Sequence, residues 1–179
     1  VEEPFHEAVV HGGGAVLAHE AKPSPLYMTA DNFKTQKQMS DINPQQREYN
    51  WGTVELVNWQ TADDIFCEGL LFKPEDFDAS KKYPVMIYFY EKNSETLYNS
   101  RTPAPSRSTV NIPYFVSNGY VVFIPDIYYK DGHPGQSAMR SIMPGVEMLE
   151  KTYPWIDGKN MAIQGQSWGG YQVAYMITQ

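Results

Sequence analysis

Along the chain the spacing of hydrophobic positions changes near residue 50. In residues 1–45 the apolar runs are short, Ala15-Val16-Leu17-Ala18 and Leu26-Tyr27-Met28-Thr29. Turn formers separate them: Gly12-Gly13-Gly14, Pro23, Pro25 and Asp31-Asn32. Runs interrupted this often predict short antiparallel strands. A piece of that size cannot bury a core of its own, so it is expected to belong to a larger β-assembly. The polar stretch 40–50, with Asn43-Pro44-Gln45-Gln46, reads as a linker.

From Thr53 onward the pattern is denser. Strands are predicted over 53–59 and 65–72, around the turn Thr61-Ala62-Asp63-Asp64. The run Val85-Met86-Ile87-Tyr88-Phe89-Tyr90 is apolar without alternation, as in strands buried on both faces. A Pro/Ser-rich connection leads to a short helix around 114–117, stopped by Asn118-Gly119. Tyr120-Val121-Val122-Phe123-Ile124-Pro125 and Met161-Ala162-Ile163-Gln164-Gly165 predict two more buried strands. Between them, 135–153 reads as a helix with Ile142, Val146 and Leu149 at helical spacing, and Pro144 is expected to kink it or delay its start. Another helix is predicted over 170–179. Strand and helix alternate from residue 84, which predicts an α/β fold with a mostly parallel sheet and crossover helices.

Composition narrows the function classes. Apolar residues make up 42% of the 179 and aromatic residues 14%, enough for a packed core. A net charge of −7 without a Lys/Arg stripe argues against nucleic acid as a partner. The longest apolar stretches are strand-sized, far below the roughly 20 residues of a membrane-spanning helix. Cys67, the single cysteine, can form no internal disulfide and reads as a small buried hydrophobe. His6 and His11 have no partners at ligand spacing and no H-E-x-x-H motif occurs, so neither a metal nor another cofactor is expected. The chain starts on Val1 without a signal-like segment, which reads as a processed or cut piece of a longer protein.

Gly165-Gln166-Ser167-Trp168-Gly169 is a G-x-S-x-G sequence with a further glycine, Gly170, behind it. It follows an apolar strand and opens an apolar helix, the setting of a nucleophile elbow. A turn that sharp forces the serine into a strained backbone conformation. Side chains two residues before and after it would collide, hence Gly165 and Gly169. The Ser167 hydroxyl is then expected to project above the sheet edge near the positive end of the helix, with the Trp168 N–H aimed at a developing oxyanion. A serine hydroxyl needs a neighbouring base, and in α/β-hydrolases the chain order is Ser, then Asp or Glu, then His. Residues 168–179 hold no acid and no histidine, while His6, His11, His19 and His133 all precede Ser167. The triad acid and histidine are therefore expected beyond residue 179, on the missing C-terminal segment or on a second chain that completes the domain.

These residues resemble the prolyl oligopeptidase family of serine peptidases, which includes dipeptidyl and acylaminoacyl peptidases. Gly165-Gln166-Ser167-Trp168-Gly169-Gly170-Tyr171 looks like the family's elbow. Lys82-Tyr83-Pro84-Val85-Met86-Ile87-Tyr88-Phe89-Tyr90 looks like the strand leading to its oxyanion-hole tyrosine, which would be Tyr90. Glu68-Gly69-Leu70-Leu71-Phe72-Lys73-Pro74 looks like the hairpin that opens its catalytic domain. The resemblance implies that 1–45 are the last strands of a β-propeller and that 46–179 begin an α/β-hydrolase domain, acting on a peptide substrate. The chain departs from the family after Tyr90, where Glu91-Lys92-Asn93 replaces a Gly-Gly-Pro-like turn.

Read from position alone, Tyr90 ends a buried strand, where ligands gather in α/β sheets; an aromatic packed over the sheet edge is the other reading. Asp126 is expected to form a turn before Tyr128-Tyr129 or to line the pocket. His133 reads as a surface-loop residue, and Arg101 and Arg107 as solvated or as carboxylate binders. The elbow equally suits a carboxylesterase or thioesterase, and a binding homologue without catalysis would retain it.

Overall fold

The computed structural model describes residues 19–20, 27–32, 34–35, 37–41, 44–48, 51–99, 101 and 103–179. The predicted run Ala15-Val16-Leu17-Ala18, with Gly12, Gly13, Gly14, Pro23, Pro25 and Leu26, lies outside them, as do Asn43, His6 and His11. Three two-residue strands come first: β1 (His19–Glu20), β2 (Tyr27–Met28) and β3 (Lys37–Gln38). β2 and β3 pair antiparallel as a separate ribbon, while β1 pairs with the main sheet. Within the stretch read as a linker, Pro44–Glu48 forms a 3₁₀ turn.

The main sheet holds β4 (Thr53–Gln60), β5 (Phe66–Lys73), β6 (Tyr83–Tyr88), β7 (Val121–Pro125) and β8 (Ile156–Gln164) in the order β1-β4-β5-β7-β6-β8. It is a mixed sheet. β4 and β5 form the expected antiparallel hairpin and β5 meets β7 antiparallel, whereas β6 pairs parallel with both β7 and β8. Three helices complete it: α1 (Ile112–Ser117), α2 (Pro134–Thr152) and α3 (Trp168–Met176).

Alternation along the strands builds a core on each face. Val85, Ile87 and Phe89 of the β6 segment, with Val121 and Phe123, pack under Ala138, Ile142, Val146 and Leu149 of α2. Tyr88, Val122, Ile124 and Phe72 point the other way and meet Ile112 and Val116 of α1. Val173 and Met176 place α3 on the α2 face. β6 therefore hands the chain to one face and its neighbour β8 to the other. In open α/β sheets, ligands bind at the C-terminal ends of two such strands.

Three local expectations changed. Pro144 lies inside α2 without starting or ending it. The missing N–H costs about 3 kcal/mol, and the buried stripe of Ala138, Ile142, Val146 and Leu149 outweighs it. β8 starts earlier than predicted, at Ile156, but its register jumps between Tyr83↔Ile156 and Val85↔Met161. The extra residues form an irregularity within the strand, where the Asp157 carboxylate accepts from Lys159 N–H (3.2 Å) and Asn160 Nδ2 (2.7 Å). α3 begins two residues before the predicted start. The predicted stop of α1 is present: Asn118 is its C-cap and Gly119 takes φ +78°.

Candidate active site

Between β8 and α3 the chain reverses through Gly165, Gln166 and Ser167. Ser167 is the N-cap of α3, with φ 54° and ψ −112°. A positive φ presses a Cβ against the backbone, so only a tightly determined turn holds a serine there. The turn is closed by Gly169 N–H donating to the Gln166 carbonyl (2.9 Å) and Tyr171 N–H donating to the Ser167 carbonyl (3.1 Å). Ser167 is exposed and makes no side-chain capping bond to α3. Trp168 is the first residue of that helix, so its N–H is one of the amides a helix leaves without an intrahelical acceptor.

The three glycines are not equivalent. A Cβ on Gly165 would press into the Gly169 backbone. A Cβ on Gly169 would lie 2.5 Å from the Phe89 carbonyl oxygen and 3.7 Å from the Tyr90 Cα. A Cβ on Gly170 would find its nearest neighbour, the Gly165 carbonyl oxygen, at 3.4 Å, an ordinary contact. Bare backbone at 165 and 169 is thus what lets α3 sit against the end of β6.

That contact brings Tyr90 beside the serine turn. Phe89 extends the β6–β8 pairing through its N–H to the Gln164 carbonyl (3.4 Å) and is fully buried. Tyr90 follows it out of the sheet and is 39% exposed.

The loop after Tyr90 is held from a distant segment. Asp126, at the end of β7, is 1% exposed. Its Oδ1 accepts from the N–H groups of Asn93 (2.6 Å) and Ser94 (3.0 Å), and its Oδ2 accepts from Ser94 Oγ (2.5 Å). Ile127 N–H donates to the Glu91 carbonyl (2.9 Å), and the Lys92 ammonium lies 4.3 Å from the Tyr128 ring centre. Beyond the turn-forming or pocket-lining role expected from the sequence, the Asp126 carboxylate clamps a loop 32 to 33 residues away. Asp126→Ala leaves the Asn93 and Ser94 N–H groups and the Ser94 hydroxyl without their acceptor. We expect a loss of about 1–3 kcal/mol, read as a lowered thermal midpoint of the full-length protein, with an unchanged midpoint counting against the clamp.

Tyr129 and Gln172 are functional candidates that sequence reasoning missed. Tyr129 Oη donates to the Tyr90 carbonyl (2.8 Å) and accepts from Gln172 Nε2. Burial pushes the Tyr129 hydroxyl's pKa upward, so it remains a donor. Trp168 stacks on Tyr171 with ring centres 5.7 Å apart, and the Tyr129 ring lies 6.2 Å from that of Trp168.

The remaining candidates lie elsewhere. His133 is exposed at the N-cap of α2. Arg101 donates to the Thr96 carbonyl (3.2 Å) and hydroxyl (2.5 Å) and lies over Phe72; burial lowers its pKa. Arg107 is exposed. Cys67 is fully buried, and burial pushes its thiol pKa up. Among the described residues no group of three or more His, Cys, Asp or Glu could hold a metal ion, and no helix is long and apolar enough to cross a membrane.

The chain is similar to known proteins in sequence and in fold. Dipeptidyl peptidase 8 of Mus musculus is 28% identical over 131 residues, 65% of this chain and 14% of that protein. Dipeptidyl-peptidase 5 of Porphyromonas endodontalis is 25% identical over 175 residues, 87% of this chain and 22% of that protein. The chain thus spans about a seventh to a fifth of these relatives. Among solved structures, the acylaminoacyl peptidase of Pyrococcus horikoshii superposes with TM-score 0.63 at 17% identity, covering 93% of this chain and 27% of that one. Dipeptidyl peptidase 4 of Porphyromonas gingivalis gives 0.57 at 20%, covering 89% and 24%. These likenesses establish the α/β-hydrolase fold. Residues 105–179, which carry α1, β7, α2, β8 and the serine turn, match the profile described as "Prolyl oligopeptidase family". On that match and these relatives, the chain is similar to the prolyl oligopeptidase family of peptidases, and the family profile covers its C-terminal 75 residues.

Proposed function

We infer that this chain carries the nucleophile and the oxyanion-stabilising groups of a serine peptidase that acts on short peptides. Ser167 Oγ attacks the scissile carbonyl carbon as a base removes its proton. The carbonyl oxygen becomes an oxyanion held by the Trp168 N–H and the Tyr90 hydroxyl. Collapse expels the amine, which takes the proton back, and leaves an acyl-enzyme on Ser167 that water hydrolyses. The histidine base and its acid come from a segment following α3 or from a second chain, following the Ser, Asp/Glu, His order of the fold. Residues 1–45 are read as the end of a β-propeller and 46–179 as the start of the catalytic domain.

The observation that carries the reading is the strained φ of Ser167 in a strand-to-helix turn packed against the end of β6. Fluorophosphonate treatment of the full-length protein tests it. We expect a stoichiometric adduct on Ser167, seen by peptide mass spectrometry, with parallel loss of peptide hydrolysis; absence of the adduct would remove the reading. Ester turnover without amide cleavage would replace the peptidase by an esterase on the same serine.

Among the described residues β8 pairs only with β6, leaving its outer backbone edge open, and Ile177 just past α3 is 71% exposed. The same segment or second chain is proposed to cover this edge. Isolated residues 1–179 are then expected to self-associate. Sedimentation velocity reads this directly, and a monodisperse folded monomer would contradict it.

A further inference from the structure

Tyr129 joins the two halves of the site. Its hydroxyl is bonded to the carbonyl of Tyr90 on one side and to the amide of Gln172, in α3, on the other. The Tyr90 carbonyl belongs to the peptide unit linking Tyr90 to Glu91, so anchoring it fixes the backbone from which the Tyr90 side chain departs. In this chain that backbone leads into Glu91-Lys92-Asn93, three residues without the conformational restriction of a proline-containing turn. On the other side, Gln172 lies four residues after Trp168, so both stand on one face of α3.

Gln172 is unusual for a core position. It is fully buried, yet its Oε1 has no hydrogen-bond partner among the described residues. A buried, half-satisfied amide costs stability that a leucine or methionine would not. Stability does not explain a glutamine there; its one bond, to Tyr129, does. We propose that Tyr129 is a positioning residue which, held by Gln172, locks the oxyanion tyrosine Tyr90 at a fixed setting relative to the Ser167 helix. This rests on the reading of Ser167 as nucleophile and Tyr90 as oxyanion donor.

The test uses the full-length protein and a chromogenic dipeptide amide. Tyr129→Phe keeps the ring and removes both bonds. Its kcat is expected to fall about 10- to 100-fold, the scale of a small misplacement of a catalytic group, with KM within about two-fold of the unsubstituted protein. Once Tyr90 carries no hydroxyl its setting no longer matters. The double variant Tyr90→Phe/Tyr129→Phe should therefore be within about two-fold of Tyr90→Phe alone, a non-additivity that marks coupled residues. Gln172→Met should lower kcat in the same direction while leaving the thermal midpoint unchanged or raised, a combination that loss of packing cannot produce. An unchanged kcat in Tyr129→Phe, or losses that multiply with those of Tyr90→Phe, would overturn the proposal alone. A missing Ser167 adduct, or an unaffected kcat in Tyr90→Phe, would overturn the underlying reading and the proposal with it.

Discussion

Ser167→Gly is expected to abolish peptide hydrolysis, by about four orders of magnitude or more, and to make the protein more stable. Both effects follow from the same atoms. Removing the hydroxyl removes the proposed nucleophile, leaving only the proposed oxyanion donors and substrate binding. Removing the Cβ relieves a φ of 54° with ψ of −112° that glycine adopts freely. A non-glycine residue held in such a region stores about 1–3 kcal/mol, part of which glycine gives back through its greater unfolded-state freedom. A net gain of about 1 kcal/mol should remain, visible as a raised thermal midpoint. Ser167→Ala separates the terms, because alanine loses the nucleophile but keeps the Cβ. Activity should vanish equally in both variants, and only glycine should stabilise. Turnover surviving in either would remove Ser167 from the chemistry, and a lower midpoint for glycine would show that the turn is unstrained.

What could be read from the sequence follows how local each constraint is. The hairpin, the buried strands and the serine turn are set by neighbours within a few residues, and their spacing appears in the chain directly. The collision that demands glycine at 165 spans only four residues, to Gly169. At Pro144 the local signal, a missing N–H, does not delay the helix, because it is opposed by contacts of α2 with strands far along the chain, such as the Trp59 indole N–H donating to the Ser141 carbonyl 82 residues away. Asp126, Tyr129 and Gln172 were legible least of all. Asp126 and Tyr129 act on the loop after β6 across 32 to 39 residues, and Gln172 meets Tyr129 across 43. No motif spacing encodes such contacts, and a lone glutamine in an apolar helix carries no pattern. The sole trace in the sequence was indirect. The loop after Tyr90 lacks the glycine and proline that would shape it from within, so its shape had to be imposed from elsewhere.

The same packing sets the second large effect, and with it a control. Gly169→Ala should cost about 3 kcal/mol or more, at the upper end of what overpacking produces. The added carbon meets a backbone carbonyl that cannot rotate away: the Phe89 oxygen at 2.5 Å, in a residue that is itself fully buried. Either α3 lifts from the sheet, carrying Ser167 and the Trp168 N–H with it, or the end of β6 shifts and moves Tyr90. Both displacements separate Ser167 from Tyr90. Even protein that remains folded should lose about 100-fold in kcat. Gly165→Ala should behave alike, since its Cβ enters the Gly169 backbone. Gly170→Ala should not: its Cβ would stand 3.4 Å from the nearest atom, and alanine is favoured over glycine within a helix by about 1 kcal/mol. Circular dichroism melts and fluorophosphonate labelling rates of the three variants, compared in the full-length protein, decide the matter. Equal tolerance at all three positions would mean that the serine turn is not pressed against β6, and the packing that brings Tyr90 beside that turn would be lost.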